Sequence, residues 1–152
     1  MFRLKLVFAI VVYFGIVLLG HASEIVLKDV NGKHISFSSL KGKWIFINYW
    51  ASWCNPCLDE IAEFNRFYRN KKDKVALFAV NYDMLPVEKQ LDLIRQYNIR
   101  YPSLQHNPAR ELHLGNIRGV PVTFVFNPQG ELSQTLYGGQ TLASLNRVIK
   151  NS

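Results

Sequence analysis

Trp44-Ile45-Phe46-Ile47-Asn48-Tyr49-Trp50 runs directly into Ala51-Ser52-Trp53-Cys54-Asn55-Pro56-Cys57, and the join between these stretches decides the fold. The first is apolar almost throughout, as a strand buried on both faces of a sheet requires. The second opens a helix in which Cys57, Ile61, Phe64 and Tyr68 fall along one stripe. Val75-Ala76-Leu77-Phe78-Ala79-Val80 is then a second continuous apolar strand. A strand, a helix and a strand in this order demand a parallel pair joined by a right-handed crossover.

Working outward, a helix is predicted over 87–97, with Leu91, Ile94 and Tyr97 at core-facing spacing. The stretch 98–118 is less regular, broken by Pro102 and Pro108, with a short helix expected at Ala109–Leu114. Val122-Thr123-Phe124-Val125-Phe126 is a strand, Asn127-Pro128-Gln129-Gly130 a turn, and Glu131 to Tyr137 the returning strand. Gly138-Gly139 ends that strand, and Thr141 can cap a last helix with Leu142, Leu145, Val148 and Ile149 inward. On the other side, Ile25-Val26-Leu27 and His34-Ile35-Ser36-Phe37 flank Asn31-Gly32, the dipeptide suited to a type I′ hairpin turn. The fold class is therefore α/β, a mixed central sheet flanked by helices, with an extra N-terminal β-hairpin.

The chain of 152 residues has room for one domain of this kind. With 49% hydrophobic and 19% charged residues it has a globular balance, not a disordered one. The first 23 residues stand apart. Arg3 and Lys5 precede an uncharged run from Leu6 to Gly20, and small residues follow before Glu24. This is the layout of a secretory signal peptide, and cleavage after Ala22 fits it. The rival reading is a membrane anchor through residues 6–20, for which the run is short. Residues 1–23 are thus a signal peptide or anchor, and 24–152 the domain. Either reading sends the domain to a periplasmic or other extracytoplasmic location.

Losing residues 1–23 lowers the net charge from +7 to +5. The densest basic run, Arg66, Arg69, Lys71, Lys72 and Lys74, lies at the end of the first helix and in the following loop, where cations complement the helix dipole. No face interleaves basic and aromatic residues, so no nucleic-acid partner is expected.

The only two cysteines are Cys54 and Cys57. A disulfide between them encloses two residues and contributes little through chain entropy, so a structural staple is a poor explanation. Redox chemistry is a better one. The unsatisfied amides of a helix N-terminus favour a thiolate, lowering the pKa of Cys54. Cys54 is then the exposed attacking sulfur, and Cys57, one turn in, the buried thiol that resolves the mixed disulfide. Haem attachment would need His where Leu58 stands. Zinc would need two further ligands, and His106 and His113 are seven residues apart, outside finger spacing. Copper on two thiols and a distant histidine stays open.

Trp50-Ala51-Ser52-Trp53-Cys54-Asn55-Pro56-Cys57, followed by Gly119-Val120-Pro121-Val122-Thr123-Phe124, resembles the thioredoxin superfamily. Within it the chain, from about Ile25 to its C-terminus, is most similar to the extracytoplasmic TlpA/ResA-like thiol–disulfide oxidoreductases. The resemblance implies a cis peptide bond at Pro121, facing the cysteines. It also implies that the backbone of Val120 pairs with an extended substrate segment, and that Trp53 covers Cys54 and meets the partner. Asn48 stands where cytosolic thioredoxin has a buried aspartate, as is common in TlpA/ResA-like proteins. Glu60, three residues after Cys57, resembles the family's acidic residue near the pair. A partly buried carboxylate there could shuttle the resolving proton; read from the residue alone it is a solvated first-turn glutamate, and Glu63 is the weaker substitute. Val122 replaces a glutamate frequent in the cytochrome-c-maturation branch related to CcmG. Asn55 departs from the thioredoxin Gly-Pro pair, in a position that helps set the reduction potential.

By this resemblance the protein reduces disulfides of partner proteins, apocytochrome c among them, and is recharged by a membrane thiol–disulfide electron donor. It needs no organic cofactor and no metal beyond the cysteine pair, and it is expected to be a monomer. Two alternatives remain. One is a dithiol oxidase of secreted proteins, although the large helical insertion usual in DsbA-like oxidases is missing from 83–118. The other is a non-catalytic module that binds copper or unfolded protein.

Overall fold

β3 (Trp44–Trp50) is the centre of the molecule, with six of its seven residues buried. The computed structural model describes residues 24–150, so the signal-or-anchor segment 1–23 lies outside the described residues. A parallel neighbour, β4 (Val75–Asn81), is buried along its whole length. Helix α1 (Asn55–Lys71) makes the crossover between them. The described residues begin with β1 (Val26–Lys28) and β2 (His34–Ser36), and continue after β4 with α2 (Val87–Gln96), β5 (Ser103–Leu104), β6 (Val122–Phe126), β7 (Leu132–Tyr137) and α3 (Leu142–Val148). The main sheet has the order β5-β4-β3-β6-β7, and β1-β2 form a separate two-stranded sheet. β3 pairs parallel with β4 and antiparallel with β6, which makes the sheet mixed, as the strand order in the sequence predicts.

The two faces of β3 feed two cores. Phe46 and Trp50 join Ile61, Phe64 and Phe67 of α1 and Leu145 and Val148 of α3. Ile45, Ile47 and Tyr49 join Phe124 and Phe126 of β6, with Leu27 and Leu112 closing over them. Alternation along a strand sends neighbouring residues to opposite faces, so a strand with partners on both sides must be apolar throughout. Asn48 breaks that run. It points to the α1 face, opposite Thr123 of β6.

Three local expectations change. The hairpin turn is not type I′, because only Gly32 of the Asn31-Gly32 pair has positive φ (+85°). The turn spans Asp29 to Gly32, closed by Gly32 N–H donating to Asp29 O at 3.0 Å. Asp29 Oδ1 accepts from the amides of Asn31 and Lys33, which holds the chain in a longer loop than the dipeptide alone suggests. Residues 109–113 form turns rather than a helix. Leu114 N–H reaches Ala109 O, a spacing one residue wider than an α-helix sustains. Finally, Ser103-Leu104 forms an edge strand on β4 that the sequence reading passes over.

Candidate functional site

The cysteines sit where β3 leaves the sheet. Cys54 is the N-cap of α1, in extended conformation, and Cys57 lies in the first turn. Their sulfurs are bonded, with the Cα atoms 5.2 Å apart. Cys54 Sγ also accepts the amide of Cys57 at 3.2 Å, so one of the free amides that a helix start leaves is aimed at this sulfur. Pro56, which has no amide proton to satisfy, fits the same first turn. The expected contrast in exposure is muted. Cys57 is fully buried, but Cys54 is only 5% exposed. Its sulfur is turned back over the helix start and packs in the core that contains Trp50 and Ala51.

Pro121 follows a cis peptide bond and is buried at the head of β6. Gly138 N–H donates to Pro121 O at 3.0 Å, which ties the end of β7 to the proline. Gly138 has φ of +77°, a conformation that favours glycine. Gly139 then lies against Pro56: a Cβ built there would stand 3.5 Å from Pro56 O. The loop after β7 thus touches both the proline and the cysteine helix, and it brings these sequence-distant motifs together. Val120 is half-buried, and its backbone N–H and C=O make no hydrogen bond among the described residues. Beside it runs a groove of about 750 Å³ whose lining includes Ile117, Arg118, Val120, Pro121, Tyr137 and Gly138.

Glu60 is not a solvated helix glutamate. It is 2% exposed, one turn beyond Cys57. Oε1 accepts from Asn48 Nδ2 at 2.8 Å, and Oε2 accepts from the Gln140 amide at 2.8 Å. Burial pushes its pKa up to about 7, against the pull of these two donors in the opposite direction. The same carboxylate adds to the effect of burial in raising the pKa of Tyr101, whose ring packs on Phe64. Glu63 behaves differently. Its Oε2 accepts the Leu142 amide at 2.7 Å at the start of α3, and this bond, with help from Arg66, holds its carboxyl below the usual range. Glu63 therefore stays ionised, and Glu60 alone of the two has a pKa near neutral pH.

Trp53 is anchored beside the cysteine turn by residues that follow β4. Its indole N–H donates to the Asp83 carboxylate at 3.0 and 3.1 Å, and its ring meets Tyr82 edge-on at 6.3 Å. It remains 62% exposed, fixed by the loop after β4. Trp50 is core, against Tyr97. No group of three or more His, Cys, Asp or Glu side chains able to hold a metal occurs among the described residues.

The sequence reading missed the second anchor of Glu60. Gln140 contributes through its backbone, which leaves no signature in residue type; the Gly138-Gly139 pair before it was the available signal. It also missed Asp83, which no motif connects to Trp53.

Residues 20–135 match the AhpC/TSA family. The chain belongs to this family. It is 31% identical over 121 residues to the thiol-disulfide oxidoreductase ResA of Bacillus subtilis, covering 79% of this chain and 67% of that protein. Against ResA of Geobacillus kaustophilus identity is 30% over 133 residues, 86% of this chain and 75% of the relative. Among solved structures, StoA from Bacillus subtilis aligns with a TM-score of 0.68 and 26% identity, covering 83% of this chain and 96% of StoA. A thiol:disulfide interchange protein of the thioredoxin family from Chlorobium tepidum aligns with a TM-score of 0.70 and 27% identity, over 84% and 92% of the two chains. The AhpC/TSA chain described here thus has the thioredoxin-like fold, a cysteine pair and the enzyme class thiol–disulfide oxidoreductase.

Proposed function

We propose that this thiol–disulfide oxidoreductase is a reductase of protein disulfides, working outside the cytoplasmic membrane. Cys54, as thiolate, attacks one sulfur of the partner's disulfide; a bond from Cys54 to the partner forms and the other partner sulfur leaves as thiolate. Cys57 then gives its proton to Glu60 and attacks Cys54 Sγ. The Cys54–Cys57 bond forms, the second partner thiolate leaves, and two electrons have passed to the substrate. A membrane thiol donor reverses these steps on the enzyme and restores the dithiol. No metal or organic cofactor takes part, because the sulfurs carry the electrons.

The observation that carries this reading is Glu60, buried one helical turn beyond Cys57 with a pKa near 7. A base matched to neutral pH can take a thiol's proton and release it again. The unbonded backbone of Val120 beside cis-Pro121 supports docking of an extended substrate segment by strand addition, with Trp53 at the rim. Apocytochrome c, which must keep two cysteines reduced before haem attachment, belongs to the substrate class. The basic, apolar and small-residue order of residues 1–23 supports the extracytoplasmic location. Among the described residues no helix is long and apolar enough to cross a membrane.

The reduction potential of the Cys54–Cys57 couple, measured by equilibration with glutathione, tests the direction of flow. The expected value lies near that of thioredoxin, ~−270 mV; a value near ~−120 mV would make the protein an oxidase instead.

A further inference from the structure

The lysines at the end of α1 are placed so that helix-dipole complementarity is only part of their account. Lys71, Lys72 and Lys74 close α1 and enter β4, and Trp44 N–H donates to Lys74 O at 3.0 Å, which brings the start of β3 beside them. Lys43 Nζ donates to Lys72 O at 3.2 Å. Lys41 packs near Gly130 of the β6–β7 turn, and Gly42 N–H donates to Pro128 O in that turn. Five lysines from two sequence segments therefore share one pole of the molecule. None of them forms a salt bridge among the described residues; the ion pairs there are Arg66–Glu63 and Arg95–Asp92. Asp73, Glu131 and Glu24 are acidic residues close to the group; Glu131 is engaged with Asn127 Nδ2, and Glu24 with the hydroxyls of Ser36 and Ser38.

This pole is far from the disulfide. β3 runs from the lysines to the cysteine turn, seven residues or roughly 20 Å. α1 covers the same span in reverse, 17 residues or about 25 Å. The pole is also where the domain meets the N-terminal segment. The Glu24 carboxylate accepts from the hydroxyls of Ser36 and Ser38, and Phe37 N–H donates to Ile25 O at 2.8 Å. Residue 24 is thus held beside Ser38, three positions before Lys41. The sequence immediately before it carries the uncharged run 6–20.

We propose that the pole formed by Lys41, Lys43, Lys71, Lys72 and Lys74 rests on anionic lipid headgroups and turns the disulfide away from the bilayer. The inference rests on the extracytoplasmic reading above, with the N-terminal segment retained as an anchor. An anchor fixes position but not orientation, and lysines near an anionic surface add attraction that falls off within a Debye length. The anchor's attachment and the lysines lie on the same side, so both interactions can be satisfied at once. The cysteine turn, Trp53 and the Val120 groove then face the aqueous side, open to protein substrates.

Amine labelling of the full chain in vesicles tests this. The protein is reconstituted into phosphatidylcholine vesicles with or without about one-third phosphatidylglycerol, and each lysine's labelling rate is read by mass spectrometry. The expected result is that the five lysines label roughly threefold or more slowly with phosphatidylglycerol, and that about 0.5 M sodium chloride abolishes the difference. Lys89, at the start of α2, serves as the control and keeps its rate. Equal rates in both vesicles would overturn the proposal, as would protection by a DNA oligonucleotide but not by phosphatidylglycerol, which would assign the pole to nucleic acid. A Lys71→Gln, Lys72→Gln, Lys74→Gln variant is expected to lose the lipid-dependent protection of Lys41 and Lys43 while reducing insulin at the wild-type rate. Failure of the wild-type protein to reduce insulin would instead count against the catalytic reading and leave the labelling result standing.

Discussion

Asn48 on β3 and Glu60 on α1 meet in the buried interior, where Asn48 Nδ2 donates to Glu60 Oε1 at 2.8 Å and neither residue exceeds 2% exposure. The same nitrogen donates to Thr123 Oγ1 at 3.1 Å, so the amide bridges α1 and β6. An asparagine here cannot take a proton, but it stabilises the charged form of the carboxylate that can. Asn48→Leu removes that donor and should raise the pKa of Glu60 further above 7. A rise of about one unit leaves roughly a tenth of Glu60 ionised at neutral pH, and disulfide reduction should slow roughly fivefold there. The pH–rate profile, run from about pH 5 to about pH 9, should shift to the alkaline side and recover its wild-type plateau. An unshifted profile in a folded variant would break the link between the two residues.

The raised pKa of Glu60 also makes stability depend on pH. Its unfolded value is 4.5 and its folded value about 7, so the folded protein binds the proton more tightly. Below about pH 4.5 both states are protonated and nothing is lost. As pH rises from 4.5 to 7 the unfolded chain gives up this proton while the folded state still holds it, and stability falls by up to ~3 kcal/mol from this group alone. Denaturant unfolding of the oxidised protein should show this decline between those limits. Glu60→Gln, which has no proton to lose, should flatten it; a decline of the same size in that variant would place its origin elsewhere.

The two cysteines should fail in different ways. Cys54→Ser leaves no attacking thiolate, and insulin reduction should drop to background. Cys57→Ser still attacks but cannot resolve, and it should accumulate a mixed disulfide with the substrate, visible as a mass adduct that dithiothreitol removes. Retained insulin reduction by Cys54→Ser would remove the assigned order of attack.

What could be read from the sequence depended on whether residue type carried the information. Only proline tolerates a cis bond readily, and the resemblance picked Pro121 out of six prolines; a cysteine pair at a strand–helix junction has few other uses. The buried strands β3 and β4 were legible because every position is apolar or small except Asn48 and the terminal Asn81. The environment of Glu60 was not. A glutamate near the start of a helix is ordinarily solvated, and this one, on the second turn of α1, bonds instead to the Gln140 backbone in a loop 80 residues away. The 109–113 turns were misread for a related reason: Leu112 and Leu114, two residues apart, both turn inward to cover the second core, which a continuing helix would not allow.

Trp53 offers a test of substrate docking separate from the chemistry. Its indole is anchored on Asp83 and Tyr82 yet presents most of its surface to solvent at the edge of the cysteine turn. An exposed aromatic held rigid loses little entropy on binding, which is how anchor residues serve a protein interface. Trp53→Ala should therefore raise KM for a protein disulfide several-fold, a loss of about 1–2 kcal/mol of binding, with kcat little changed. Asp83→Ala, which frees the indole without removing it, should do the same to a smaller degree. A small disulfide such as oxidised glutathione does not extend to the rim, and its reduction by both variants should match the wild-type rate. If Trp53→Ala slows both substrates equally, the indole acts on the cysteines themselves and not on the partner.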